Sequence, residues 1–289
     1  MRGLWRDLTD LVLPAECGGC GAPRTALCPE CRAALGASVP GRVRPEVEQP
    51  GLPLVHAKAR YADEVRALLL AHKERGALGL RAPLGAALAA AVRSALREAA
   101  HEGATDPGGG APVLLVPVPS ARAAVRARGH DPARRIALAA AGELRRTGTP
   151  ARVLAALGQR RAVSDQAGLD ARQRTANLAG ALAVAPGGER LLHGGPVVLV
   201  DDLMTTGASL TEAARAVARA TARTEVLTEW AVYDAESREG RGERTTGRDD
   251  GEALRTGAGP EMRGKGGAGT VVCAAVVAAA PDSFEINRN

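Results

Sequence analysis

Val197-Val-Leu-Val-Asp-Asp-Leu-Met-Thr-Thr-Gly-Ala-Ser209 is the stretch whose reading decides the fold. Four aliphatic residues, Val197 to Val200, have the length and β-branching of a strand buried on both faces, as in a parallel sheet covered by helices. Asp201 and Asp202 follow at its carboxyl end, where open α/β sheets form their ligand crevice. Met204, Thr205, Thr206 and Gly207 then turn the chain, and Ser209 is placed to cap a helix with apolar positions Leu210, Ala213, Ala214 and Val217. A hydroxyl-lined turn opening a helix cradles anions through backbone N–H groups and the helix dipole. The two carboxylates would repel a phosphate, so they suit another part of the same ligand, either vicinal sugar hydroxyls or a hydrated Mg²⁺. A sugar diol beside a sugar phosphate describes a ribose 5-phosphate.

Two other readings use the same strand. An acid-terminated strand also serves P-loop nucleotide hydrolases, but the nearest loop, Gly259 to Gly266, has Gly after Gly264-Lys265 where a hydroxyl residue is needed. Two acids merely capping a helix would not require Thr-Thr-Gly-Ala-Ser.

The stretch resembles the ribose-phosphate motif of type I phosphoribosyltransferases. That resemblance implies that Asp201 and Asp202 hold the ribose hydroxyls of phosphoribosyl pyrophosphate and that Thr205, Thr206, Gly207, Ala208 and Ser209 hold its 5-phosphate. It also implies Mg²⁺ accompanying the substrate.

A second motif lies near the start. Cys17-Gly-Gly-Cys20 and Cys28-Pro-Glu-Cys31 are two Cys-x-x-Cys pairs separated by seven residues. Each pair can offer two thiolates to one edge of a tetrahedral zinc ion, and two pairs close the site with no open position. Four cysteines within fifteen residues of a chain expected to be cytosolic favour a metal over disulfides, with a redox pair the alternative. Zinc here is expected to be structural. Cys273, in an aliphatic run, reads as an inert core residue.

The remaining chain fits one α/β domain with additions. Residues 3–13 read as an amphipathic helix ended by Pro14, packed on the body of the protein rather than on a membrane surface. Residues 37–53 carry four prolines and read as a linker. From Leu54 the sequence alternates as a strand, a helix runs from Val65 towards His72, Lys73 and Gly76, and residues 83–100 form an Ala-rich helix. Val113-Leu-Leu-Val-Pro-Val-Pro-Ser120 reads as a buried strand ending in a proline-constrained turn, with Pro117 and Pro119 alternatively plain strand terminators. A helix spans 132–146 and a strand 152–157. Residues 221–270 are mostly polar, Gly- and Arg-rich, and read as a disordered insertion. Val271 to Ala280 is the expected closing strand, with Val226 to Val232 the competitor.

Taken together, the paired cysteines, Lys73 before Gly76, Pro117-Val-Pro, Arg128-Gly129-His130, the Gln166, Leu169, Arg174 and Asn177 spacing, and the ribose-phosphate motif resemble the ComF family. These proteins are phosphoribosyltransferase-like and are associated with DNA uptake in competent bacteria. The resemblance covers roughly residues 8–220 and resumes at the carboxyl terminus. It implies a type I phosphoribosyltransferase-like parallel sheet flanked by helices, with an amino-terminal knuckle in residues 1–36. The phosphoribosyltransferase-like domain would comprise 54–220 and 271–289. It also implies a pyrophosphate loop at Pro117, with Lys73, Arg128 and Arg174 stabilising the departing pyrophosphate. Pentosyl transfer is one expectation. The other is a sugar-phosphate sensor or a single-stranded-DNA-binding accessory of DNA-import proteins.

Composition bears on these alternatives. The net charge of +6 is concentrated: residues 122–174 hold twelve arginines against four acids, so the rest is slightly acidic. A basic middle suits pyrophosphate or a nucleic-acid backbone. With one Phe, two Trp and two Tyr, the chain is poorly supplied for stacking bases, and its core must be Ala, Leu and Val. No apolar run approaches the roughly 20 residues of a membrane span, and the acids at 7 and 10 interrupt any secretory signal, so a cytoplasmic protein is expected.

Overall fold

A computed structural model describes residues 16–47, 49–103, 110–161, 171–222 and 271–284. In chain order, helix α1 (Pro29–Gly36) precedes strands β1 (Gly41–Val43) and β2 (Val55–Arg60), then helices α2 (Asp63–Glu74) and α3 (Arg81–His101). Strand β3 (Val113–Pro117) leads to helices α4 (Arg122–Arg128) and α5 (Pro132–Arg146), and then to strands β4 (Ala151–Val153) and β5 (Leu157–Gln159). Helix α6 (Ala171–Leu178), strand β6 (Leu182–Val184), helix α7 (Gly188–Leu192), strand β7 (Val197–Met204), helix α8 (208–222) and strand β8 (Val271–Ala279) complete the described chain.

Six strands form one sheet in the order β1-β2-β8-β7-β3-β4, parallel throughout except for β1 at the edge. The central strands are apolar on both faces, as parallel strands covered by helices must be. Val113, Leu115, Val198, Val200, Cys273, Ala275 and Val277 face α2, α3 and α5. Leu114, Val116, Val197, Leu199, Ala274 and Val276 face Leu210, Ala213 and Val217 of α8. With few aromatics, the layers close through small residues. A Cβ on Gly85 of α3 would stand 2.4 Å from the Ala139 Cβ and 2.9 Å from the Ala140 nitrogen of α5, so only glycine permits this crossing.

The crossovers place a crevice. The β3-to-β4 connection passes through α5 on one face, whereas the β7-to-β8 connection leaves in the opposite direction, with α8 on the other face. The carboxyl ends of β3 and β7, adjacent and parallel, therefore flank a topological switch point, where loops diverge and leave room for a ligand.

Several elements differ from the sequence expectation. β7 continues through Asp201 and Asp202 to Met204, because Asp201, Leu203 and Met204 stay in register with Val276, Ala278 and Ala279 of β8. β3 has ended by then: Pro117 pairs with Val200, and Val118 N–H donates to the Val200 carbonyl at 2.9 Å. Inside the proline-rich stretch, Gly41–Val43 forms the edge strand β1, which Pro40 and Pro45 flank without interrupting. The expected strand 152–157 is two pieces, since the chain turns after Leu154 and β5 pairs antiparallel with β6 outside the main sheet. Residues 122–128, for which no element is expected from the sequence, form a short helix ending at Gly129 with φ +73°.

Val271–Ala279 is a strand as expected, and it lies inside the sheet, between β2 and β7. Residues 221 and 222, expected to open the insertion over 221–270, instead belong to α8, and the helix at 3–13, the competing strand Val226–Val232, the remainder of that insertion, Gln166 and Leu169 lie outside the described residues. Among the described residues no helix is long and apolar enough to cross a membrane.

Candidate functional site

Strand alternation puts Asp202 on the same face as Val198 and Val200, which pack towards α2, α3 and α5. From that side, in the last turn of α2, Lys73 reaches in, and its Nζ lies 3.1 Å from Asp202 Oδ2. Asp202 is buried, and Asp201 Oδ1 accepts the Asp202 backbone N–H at 2.8 Å. Burial disfavours charge on Lys73, but the Asp202 and Asp201 carboxylates outweigh it and hold the ammonium above the ordinary lysine range. Asp201 is pushed well above the usual carboxylate range, first by burial and then by the neighbouring Asp202 charge, with Lys73 opposing. Two crowded carboxylates with one ammonium form a site that a hydrogen-bond-donating or cationic ligand would relieve.

Arg128 joins this cluster from the end of α4. Its Nη1 contacts Glu74 Oε1 at 3.1 Å and its Nε donates to the Ala124 carbonyl at 3.1 Å. Its positive charge acts on Lys73, so two cations sit at the crevice mouth. Glu74, the anchor for Arg128, was not singled out in the sequence, although its place next to Lys73 on the same helical turn is the available signal. Behind them, His130 Nε2 lies 3.2 Å from the His72 carbonyl and its Nδ1 lies 3.1 Å from the Arg128 carbonyl, tying the 128–130 turn to the end of α2. The two imidazole rings meet edge to face, with centroids 5.9 Å apart.

The turn after β7 supplies the hydroxyl-bearing rim. Thr205 is exposed, Thr206 and Ser209 are half-buried, and Gly207 and Ala208 are buried. Gly207 has φ +77°, and a Cβ there would lie 3.1 Å from the Leu52 methyls. The helix starts earlier than expected. The Gly207 carbonyl already accepts Thr211 N–H at 2.9 Å, and the Ala208 N–H points to Thr206 Oγ1 at 3.5 Å. Ser209 therefore sits in the first turn of α8 instead of capping it, and Gly207 stands at the N-cap, with Thr206 one residue before it. Pro117 lies at the end of β3 beside Val200, one residue from Asp201. The structure thus brings together Lys73, Pro117, Arg128, Asp201, Asp202 and the 205–209 turn. The side chain of Arg174 lies outside the described residues.

The four cysteines form a separate cluster. The Sγ atoms of Cys17, Cys20, Cys28 and Cys31 all lie within 4.8 Å of one another, and those of Cys20 and Cys28 are 3.5 Å apart. A tetrahedral ion with Zn–S distances of about 2.3 Å needs S···S edges of roughly 3.8 Å, so this donor set fits a closed four-thiolate zinc site. Backbone N–H groups of Cys28 and Cys31 donate to the sulfurs of Cys17 and Cys28 at 3.3 and 3.4 Å. Burial resists ionisation of Cys17, yet the N–H groups of Cys28, Cys20 and Gly19 outweigh it and lower the thiol to about 6. Gly19 is required because a Cβ would meet Cys31 Sγ at 2.5 Å. Cys273 is fully buried and burial pushes its thiol up to about 12, in keeping with an inert core residue.

This knuckle is continuous with the core. Cys17, Leu27, Cys28, Cys31 and Leu35 share one buried cluster with Leu68 of α2 and Leu84 of α3. Arg75, one residue beyond α2, donates to the Gly18 carbonyl at 2.9 Å. The knuckle therefore braces the helix that carries Lys73.

The fold and site define an α/β protein with a mostly parallel six-stranded sheet, an amino-terminal four-cysteine cluster, and an acid–lysine–arginine crevice at its switch point. No family model, curated protein or solved structure matches the chain.

Proposed function

We propose that this chain is a ComF-like member of the type I phosphoribosyltransferases and binds phosphoribosyl pyrophosphate across the β3–β7 crevice. The observation that carries this reading is the 3.1 Å Lys73–Asp202 pair, set directly before the hydroxyl-lined turn at a topological switch point. Asp201 and Asp202 would accept hydrogen bonds from the ribose 2- and 3-hydroxyls, and backbone N–H groups of residues 205–209 would receive the 5-phosphate. Lys73 would leave Asp202 for the pyrophosphate, exchanging one anionic partner for another and freeing the carboxylate for the sugar. Arg128 and the turn after Pro117 would face the same pyrophosphate, together with Arg174. Bound Mg²⁺ would neutralise pyrophosphate charge.

In the transfer, the bond from the anomeric carbon to the pyrophosphate oxygen breaks and pyrophosphate departs with the electron pair. The acceptor nucleophile then bonds to that carbon. Positive charge developing on the sugar is met by the aspartates, and negative charge on the leaving group by Lys73 and Arg128. The resemblance also links the protein to DNA uptake. A second reading keeps the same pocket as a non-catalytic sensor or as a DNA-import accessory.

Isothermal titration with phosphoribosyl pyrophosphate and Mg²⁺ tests binding, and pyrophosphate release across a panel of bases tests turnover. We expect binding by the wild type and its loss in Asp202→Asn. Equal binding by both proteins, or none by either, refutes the assignment. Binding without pyrophosphate release selects the sensor reading.

A further inference from the structure

A second cavity, of about 680 Å³, lies across the 128–130 turn from the acid–lysine cluster. Its volume falls in the range that small-molecule sites occupy. Arg81 at the start of α3 and Arg134 and Arg135 in the first turn of α5 line it, against a single carboxylate, Asp131. Asp131 Oδ1 already accepts the Arg134 backbone N–H at 3.2 Å as the cap of α5. Among the described residues, none of the three guanidinium groups makes an ion pair with a carboxylate. Three arginines from two helices, none of them in such an ion pair, line one hollow and give it a positive potential. Their planar forks match phosphate oxygens.

The rest of the wall is apolar. Val125 and Ala139 line it, and so does Leu138, which is 52% exposed although it is a large aliphatic side chain on a helix. A ligand made only of phosphate would leave that wall wet, whereas one with a flat organic body beyond its phosphates would cover it. Gly129 and His130 form part of the enclosure, and the buried His130 ring is pinned between the carbonyls of Arg128 and His72. The hollow is therefore walled by well-anchored backbone rather than by mobile side chains alone.

We propose that this cavity is a nucleotide site, with the phosphates on Arg81, Arg134 and Arg135 and the base against Val125 and Leu138. It goes beyond the ribose-phosphate reading and does not depend on it. Three arginines lining a single hollow favour a mononucleotide over a nucleic-acid strand, which needs cations spaced along a track.

Titration of the full chain with ADP, followed by calorimetry at low and moderate salt, tests the site. ADP should bind, adenosine should not, and affinity should fall as salt rises. Arg134→Ala/Arg135→Ala should weaken ADP at least tenfold while leaving phosphoribosyl pyrophosphate binding within threefold. Arg81→Ala, on a different helix, should weaken ADP at least threefold, and far-ultraviolet circular dichroism should show each variant folded. Asp202→Asn should leave ADP binding intact even if the other pocket fails its own test. Absence of ADP binding, ADP binding unaffected by both sets of arginine changes, or ADP binding lost only in Asp202→Asn overturns the proposal. Binding of a deoxythymidine 20-mer in place of ADP also overturns it.

Discussion

Replacing Lys73 with Met removes the ammonium facing Asp202 while keeping most of the side chain's apolar stem. At 3.1 Å, two unit charges attract by about 5 kcal/mol at an effective dielectric constant of ~20 and by about 1 kcal/mol in bulk water. Asp202 keeps only 9% of its side-chain surface exposed, but Lys73 keeps 35%, so solvent screening and the desolvation already incurred reduce the net coupling. We expect about 1–2 kcal/mol of coupling, which for a chain of this size corresponds to a fall of about 2–8 °C in thermal midpoint for Lys73→Met. The double-mutant cycle Lys73→Met, Asp202→Asn and the pair, measured by urea unfolding, isolates that term. Asp201 remains beside Lys73 in Asp202→Asn, so the ammonium is not stranded in that single variant. A coupling energy within about 0.3 kcal/mol of zero would show that the contact does not organise the crevice, because additive sites behave that way.

Asp201 should cost stability in the ligand-free protein. Its folded-state pKa lies above its unfolded value, so its stabilising contribution is complete below the unfolded pKa and is lost as pH rises through the raised one. Asp201→Asn should therefore raise the thermal midpoint relative to wild type by a margin that widens from pH 4 towards pH 8, and a pH series of melts reads it directly. Gly85→Ala sets two effects against each other: helix propensity gains about 1 kcal/mol, while a Cβ 2.4 Å from Ala139 and 2.9 Å from the Ala140 nitrogen forces α3 from α5. Overpacking of this kind costs about 1–3 kcal/mol, and backbone cannot step aside as a side-chain tip can, so the urea midpoint should fall. The purified chain should carry about one zinc by elemental analysis, and Cys28→Ser or chelation should release it. Because the knuckle braces α2, zinc loss should also lower the melting temperature of the whole sheet domain rather than produce a separate early transition.

Much of this was legible in the chain because it rests on local chemistry. The run Val197 to Val200 and the run Val271 to Ala279 read as strands buried on both faces because their aliphatic residues continue without a polar break, although Val226 to Val232 competed with the second run. The cysteine pairs announce one metal-binding cluster because ligand spacing is set by the reach of a tight turn. The 132–146 helix follows from its cap, Asp131, and from Ile136, Ala137, Ala140 and Leu144 recurring on one face. Other features were hidden. The edge strand β1 has three residues between prolines and carries too little pattern to separate it from a linker. The break between β4 and β5 depends on where β3 ends, a partner that local sequence does not contain.

The sequence by itself determined the chemical parts: two acids and a hydroxyl-bearing turn after an aliphatic strand, a lysine at the end of a helix, and four paired thiols. Only the tertiary structure decided that Lys73, from α2, would meet Asp202, from β7, at 3.1 Å, and that Arg128 would stand beside them on Glu74. It alone placed the three arginines of α3 and α5 around one hollow. The physical reason is that strand and helix patterns report which face of an element is buried. Which elements become neighbours is set by the direction of the crossovers, a property of the whole sheet that no single stretch encodes.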